Sequence, residues 1–168
     1  MATFLSSTYT LTGAPMATSG QLQTVDSTQK LPACTVVQGT DAVGAFAEYI
    51  YLQGVASTIV GSVVTFDEAG VTTLLAASAI GPVAVALAIV DATTEWGWYG
   101  LTGTFPTDVV ANCADNKYIG RETTDGKVGD GFATGDMIVG AMSRAATTTA
   151  AVVNCQFSRG FVTDQLGA

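Results

Sequence analysis

Between Ala47 and Thr104 the chain alternates side chains with a period of two and breaks at short turn signals, which leaves little room for anything but β-structure. Five short strands are predicted there. The first places Glu48, Ile50 and Leu52 on one face and Tyr49, Tyr51 and Gln53 on the other. Ser62–Phe66 runs to the turn Asp67-Glu68-Ala69-Gly70, and Val71–Leu75 leads back. Val83–Val90 sets Val83, Val85, Leu87 and Ile89 against Ala84, Ala86 and Ala88, a face of small side chains suited to flat packing on a sheet or subunit. Glu95–Thr104 sets Trp96 and Trp98 against Gly97, Tyr99 and Leu101. Strands this short and this regularly spaced predict an all-β fold, an antiparallel β-sandwich or β-barrel, rather than alternating strands and helices.

Downstream, Phe105–Asp108 reads as a turn and Thr123–Lys127 as a hairpin loop, since Asp-Gly readily adopts positive φ. Met137–Met142 reads as a strand. In the last strand, Ala151–Arg159, Val153, Cys155 and Phe157 point inward and Asn154, Gln156 and Ser158 outward, with Gly160–Ala168 as a tail. Residues 1–45 differ: Asp26 and Lys30 are the only charges in the first forty, among Ser, Thr, Gln and Gly. Neither helical nor long strand periodicity appears. The division expected is an extended N-terminal arm, 1–45, and a β-sandwich or barrel domain, 46–168. The arm would dock through Phe4, Leu5, Tyr9, Leu11, Pro15, Met16, Leu22 and Val25; a flexible terminus or edge strands of the same domain remain open as readings.

Composition narrows the function. Fourteen acidic against six basic side chains give a net charge of −8, and the bases are scattered, so the basic stripe a nucleic-acid binder needs is missing. With no histidine, Ser-His-Asp and Cys-His catalysis and histidine-based metal sites are excluded, and no enzyme is expected. No cofactor and no metal are expected either. Asp125, Asp130 and Asp136 lie among glycines but lack calcium-loop spacing, and adjacent Asp67 and Glu68 point apart at a strand end, a weak acid–base pair. Gly97, Gly100 and Gly103 suit close packing or a bulge. Cys34, Cys113 and Cys155, an odd count without C-x-x-C, suggest free thiols in a reducing cytoplasm; one pair can oxidise, and the sequence does not say which.

Ala69–Val90 is uncharged over 22 residues, but Gly81-Pro82 splits it and acidic residues flank it, so two strands rather than a membrane span are expected. The N-terminus has no positively charged leader pattern, and no signal peptide is expected. Only 12% of residues are charged while 48% are hydrophobic, which implies that a partner covers part of the surface.

The succession Tyr9–Pro15, Glu48–Thr58, Gly61–Asp67, Gly81–Ala86, Trp96–Tyr99 and Gly135–Ala141 resembles the small β-rich capsid decoration, or cement, proteins of tailed bacteriophages over most of the chain. The resemblance implies a structural virion protein, assembled in the host cytoplasm, on the exterior of the head. Its partner would be the phage major capsid protein, and it would form a homo-oligomer, a trimer being favoured. The N-terminal arm would add along a capsid loop or edge, so deleting residues 1–33 is expected to abolish capsid binding and leave the β domain folded. Trp96, Trp98 and Tyr99 are the candidate subunit interface. An alternative from another class is a head-fibre or receptor-binding module that recognises glycans through the same three aromatics.

Overall fold

The computed structural model describes residues 21–41, 43–133 and 135–163. Among the described residues, ten strands form one mixed sheet: β1 (Val36–Thr40), β2 (Phe46–Gln53), β3 (Val63–Phe66), β4 (Thr72–Leu74), β5 (Gly81–Ala86), β6 (Trp96–Val109), β7 (Tyr118–Arg121), β8 (Val128–Gly129), β9 (Met137–Ser143) and β10 (Ala151–Val162). The fold is all-β; among the described residues the single helical element is a 3₁₀ turn at Gln21–Gln23. The strand order is β1-β2-β6-β8-β7-β9-β10-β5-β3-β4, and β6 also pairs with β10 and β5. Following β6 to β8, β7, β9 and β10 therefore leads back to β6. The pairings are antiparallel apart from β6 with β8.

β6 joins the halves of the molecule. Its first half lies beside β2 and β5, and its second half beside β10. Consequently β2 and β5 are covered on both faces. Tyr49, Tyr51, Val83 and Val85 enter the main core with Phe105, Ile138 and Phe157, while Ile50, Leu52, Ala84, Ala86 and Ala88 enter a second core with Val64, Tyr99 and Leu101. The alanine face thus packs inside this chain. Small side chains there let neighbouring strands close over Tyr99.

All five strands predicted between Ala47 and Thr104 are present, and Asp67–Gly70 and Thr123–Lys127 are turns as predicted. In the second, Gly126 has φ +79°. Gly81-Pro82 opens β5 instead of forming the turn before it. No helix among the described residues is long and apolar enough to cross a membrane.

Two expectations are corrected. Phe105–Asp108 is strand, not turn: Pro106 sits opposite Asn154 inside β6. The flanking amides of Thr104 and Asp108 donate to Asp41 Oδ2 and to the Gly61 carbonyl, away from β10, so the missing proline N–H costs no bond to that neighbour. Gly160 does not begin a tail, because β10 continues to Val162 after a bulge opposite β9. Of the readings left open for residues 1–45, the described part from Leu22 on fits edge structure of the same domain, with β1 as an edge strand. Leu22 is only 3% exposed in the main core, Asp26 exchanges both main-chain bonds with Trp96, and β1 pairs with β2. A deletion to residue 33 would remove core as well as arm.

Candidate functional site

The end of the β1–β2 hairpin is the most constructed exposed feature. Residues 39–44 read as a plain loop in the sequence, yet Asp41 is 2% exposed and organises it. Its Oδ1 accepts from the amides of Val43 (3.0 Å) and Ala45 (2.9 Å), and Oδ2 accepts from Thr104 on β6 (2.8 Å). The Asp41 amide donates to the Ala45 carbonyl, and the Tyr49 hydroxyl donates to that of Thr40. A carboxylate that satisfies three amides fixes a tip otherwise free to fray. On that rigid tip Val43 is 64% and Phe46 57% exposed, large apolar surface held in solvent.

Beside the tip, β1 is the edge of the sheet. The Thr35 carbonyl accepts from the Tyr51 amide, so the main-chain groups of Val37 and Gly39 face β2, and those of Val36 and Gln38 face outward. No strand among the described residues covers that side.

Behind it, Glu48 joins three strands. Its carboxylate takes both Arg159 donors (Nε to Oε2 2.9 Å, Nη2 to Oε1 2.8 Å) and the Thr102 hydroxyl (2.8 Å), and Gln38 donates as well. The Arg159 guanidinium holds the Glu48 carboxyl below its usual range, against an opposing effect of burial. Arg159 has φ +45° in the β10 bulge, where that strand leaves β6 for β5. An ion pair thus fastens the strand switch to β2. In the sequence Glu48 stands out only as a charge in an apolar strand, and its partner lies 111 residues away.

The aromatic trio does not form a surface. Trp98 is 3% and Tyr99 0% exposed, on opposite faces of β6. Trp96 is partly buried and stacks on Tyr51 with ring centroids 5.8 Å apart, and Trp98 meets the same ring edge-on at 5.3 Å. The Tyr51 hydroxyl, which donates to Asp26 Oδ2, is pushed up to about 12, mainly by burial. Trp98 and Tyr99 are thus packed inside the chain, and of the three Trp96 alone keeps part of its side chain in solvent.

The acidic residues are also dispersed. Asp136 is paired with Arg121 (2.7 and 3.1 Å), Asp130 accepts from the Ala114 amide, and Asp67 caps its own turn through the amides of Ala69 and Val71. Asp125 lies exposed in the β7–β8 loop. Among the described residues no three His, Cys, Asp or Glu side chains group as metal ligands would. The cysteines are free thiols, Cys113 and Cys155 buried and Cys34 half-buried. Of the arm residues, Leu22 is core and Val25 is 36% exposed; Phe4, Leu5, Tyr9, Leu11, Pro15 and Met16 lie outside the described residues.

Comparison with protein-family models, curated proteins and solved structures finds no match to this chain.

Proposed function

We propose that this chain is a non-enzymatic cement protein that binds the outside of the expanded major capsid shell of a tailed bacteriophage and stabilises the head. The observation that carries the reading is the β1–β2 end: Val43 and Phe46 are held in solvent by a buried carboxylate, next to a strand edge that no other described strand covers. Such a rigid apolar tip suits insertion against another protein, and an open edge suits pairing with an extended segment. An acidic body with few charges suits a position away from the packaged genome. The sequence resemblance points the same way. On this reading the N-terminal segment is the capsid-binding arm, the assembly is a trimer, and we take the returning circuit of β6, β8, β7, β9 and β10 as a small barrel. The glycan-binding alternative is the weaker reading, because Trp98 and Tyr99 are buried.

The test is co-sedimentation with expanded, decoration-free phage heads, comparing the full chain, a chain lacking residues 1–20 and the Phe46→Ser variant. Saturable binding by the full chain, lost on truncation and weakened at least tenfold by Phe46→Ser, is the expected outcome. Equal binding by all three, or none by any, contradicts it.

A further inference from the structure

Two of the three thiols lie on either side of one buried serine in the main core. We propose that Cys113 and Cys155 are a redox pair, which closes to an internal disulfide when the chain meets a small-molecule disulfide and opens again under reduction.

Cys34 is not part of the pair. It packs against the second core, with its Sγ 3.9 Å from the carbonyl oxygens of Asp67 and Glu68. Cys113 and Cys155 are both buried in the main core. Ser143, itself buried, stands directly opposite Cys155 where β9 pairs with β10. The Ser143 amide and carbonyl bond to Lys117 and Asn116, away from β10, so Ser143 and Cys155 are a pair without mutual main-chain bonds. In such a pair the two side chains share a face, with β-carbons about 4.5–5.5 Å apart. On the other side, the Ser143 hydroxyl and the Cys113 thiol both donate to the Ala114 carbonyl, at 2.6 and 3.7 Å. The Cys113 thiol also interacts with the Ser143 hydroxyl, and the Cys155 thiol feels the charge of a Cys113 thiolate.

The main chain of Cys113 is held in place. Its amide donates to Thr147 Oγ1 (3.1 Å), its carbonyl accepts from the Thr147 amide (2.8 Å), and the Thr147 hydroxyl donates to the Val110 carbonyl. Thr147 belongs to the β9–β10 connection, so the loop after β6 is fastened to the strands that carry Ser143 and Cys155. Closure takes the Cys113 Sγ off the Ala114 carbonyl, with the backbone already fixed on both sides.

Burial pushes both thiols up, Cys155 to about 12, which keeps the exchange slow at neutral pH. Cys113 lies in a loop and Cys155 within β10, so local opening frees Cys113 first. Its thiolate attacks one sulfur of a disulfide such as oxidised glutathione. A Cys113–glutathione bond forms, the original S–S bond breaks, and one glutathione leaves as a thiol. Cys155 then attacks the Cys113 sulfur and releases the second glutathione. Two protein thiols are oxidised, one small disulfide is reduced to two thiols, and the two protons end on the glutathiones. The new bond ties the loop after β6 to β10 and closes a ring of about 40 residues, which restricts the unfolded chain. The pairing is independent of the capsid reading.

The test treats the folded, unaltered chain with oxidised glutathione at about pH 9, without denaturant. The chain is then unfolded without reductant, its thiols are alkylated, and its peptides are mapped. A monomer with Cys113 joined to Cys155 is expected, reversed by dithiothreitol. Its unfolding midpoint should rise by on the order of 5–10 °C. The Cys34→Ser variant should form the same bond. Cys113 and Cys155 both still free after Cys34 has been consumed, a bond from either to Cys34, or a bond between two chains would overturn the proposal. Should Cys34→Ser fail to fold, the peptide map of the unaltered chain decides alone.

Discussion

Asp41 shows how one carboxylate sets the form of an exposed surface. Replacing it with Ala strands the amides of Val43, Ala45 and Thr104. Each unmet buried donor costs about 1–3 kcal/mol, with water able to reach the tip, so urea unfolding should show a loss of about 2–4 kcal/mol. Glu48 makes a pH-dependent contribution. Because its folded carboxyl lies below the ordinary 4.5, the stabilisation is complete above that value and disappears as pH falls through the lower folded value. Arg159→Ala should therefore cost about 1–2 kcal/mol at pH 7, the low end for a charge-assisted pair because the Arg159 head is in solvent. The difference from the parent should vanish in strong acid; a constant difference across pH would contradict the pairing. The thiols report burial directly. Cys155 is pushed up to about 12 and Cys113 also upward, both chiefly by burial. A thiol reagent at pH 8 should find at most one reactive group, Cys34, in the native chain and three after unfolding.

At the level of elements, β6 depends on having no side chain where strands cross. A Cβ at Gly100 would lie 2.6 Å from the buried Phe105 ring, and Phe105 is fixed in the main core. Gly100→Ala should lower stability by about 1–3 kcal/mol in thermal or urea unfolding. What the sequence disclosed belongs to this scale. Alternation located the strands from Ala47 to Thr104 and the inward row Val153, Cys155 and Phe157, because the period of a strand is local. The same logic misread Phe105–Asp108, where a proline is harmless only because the neighbouring amides point away from β10. It also missed the Glu48–Arg159 pair and the Asp41–Thr104 bond, which join positions 111 and 63 residues apart. Where Trp96, Trp98 and Tyr99 would lie was not legible, because aromatic content alone does not say which face of a strand is covered.

For the whole molecule, the boundary between body and arm decides how truncations behave. Removing residues 1–20 keeps Leu22, Asp26 and everything after them in the chain. Removing residues 1–33 takes away Leu22 from the core, the Asp26 bridge to Trp96 and the Asp26 bond to Tyr51, and should destabilise the body by several kcal/mol, on the order of a large-to-small core substitution plus lost hydrogen bonds. Function is expected to separate from folding only at the shorter cut. The most direct measurement is the temperature at which expanded, DNA-filled, decoration-free phage heads release DNA, with and without saturating full-length protein. A rise in that temperature, absent with the chain that lacks residues 1–20, is the predicted result. An unchanged release temperature with the protein bound would contradict a stabilising role on the head.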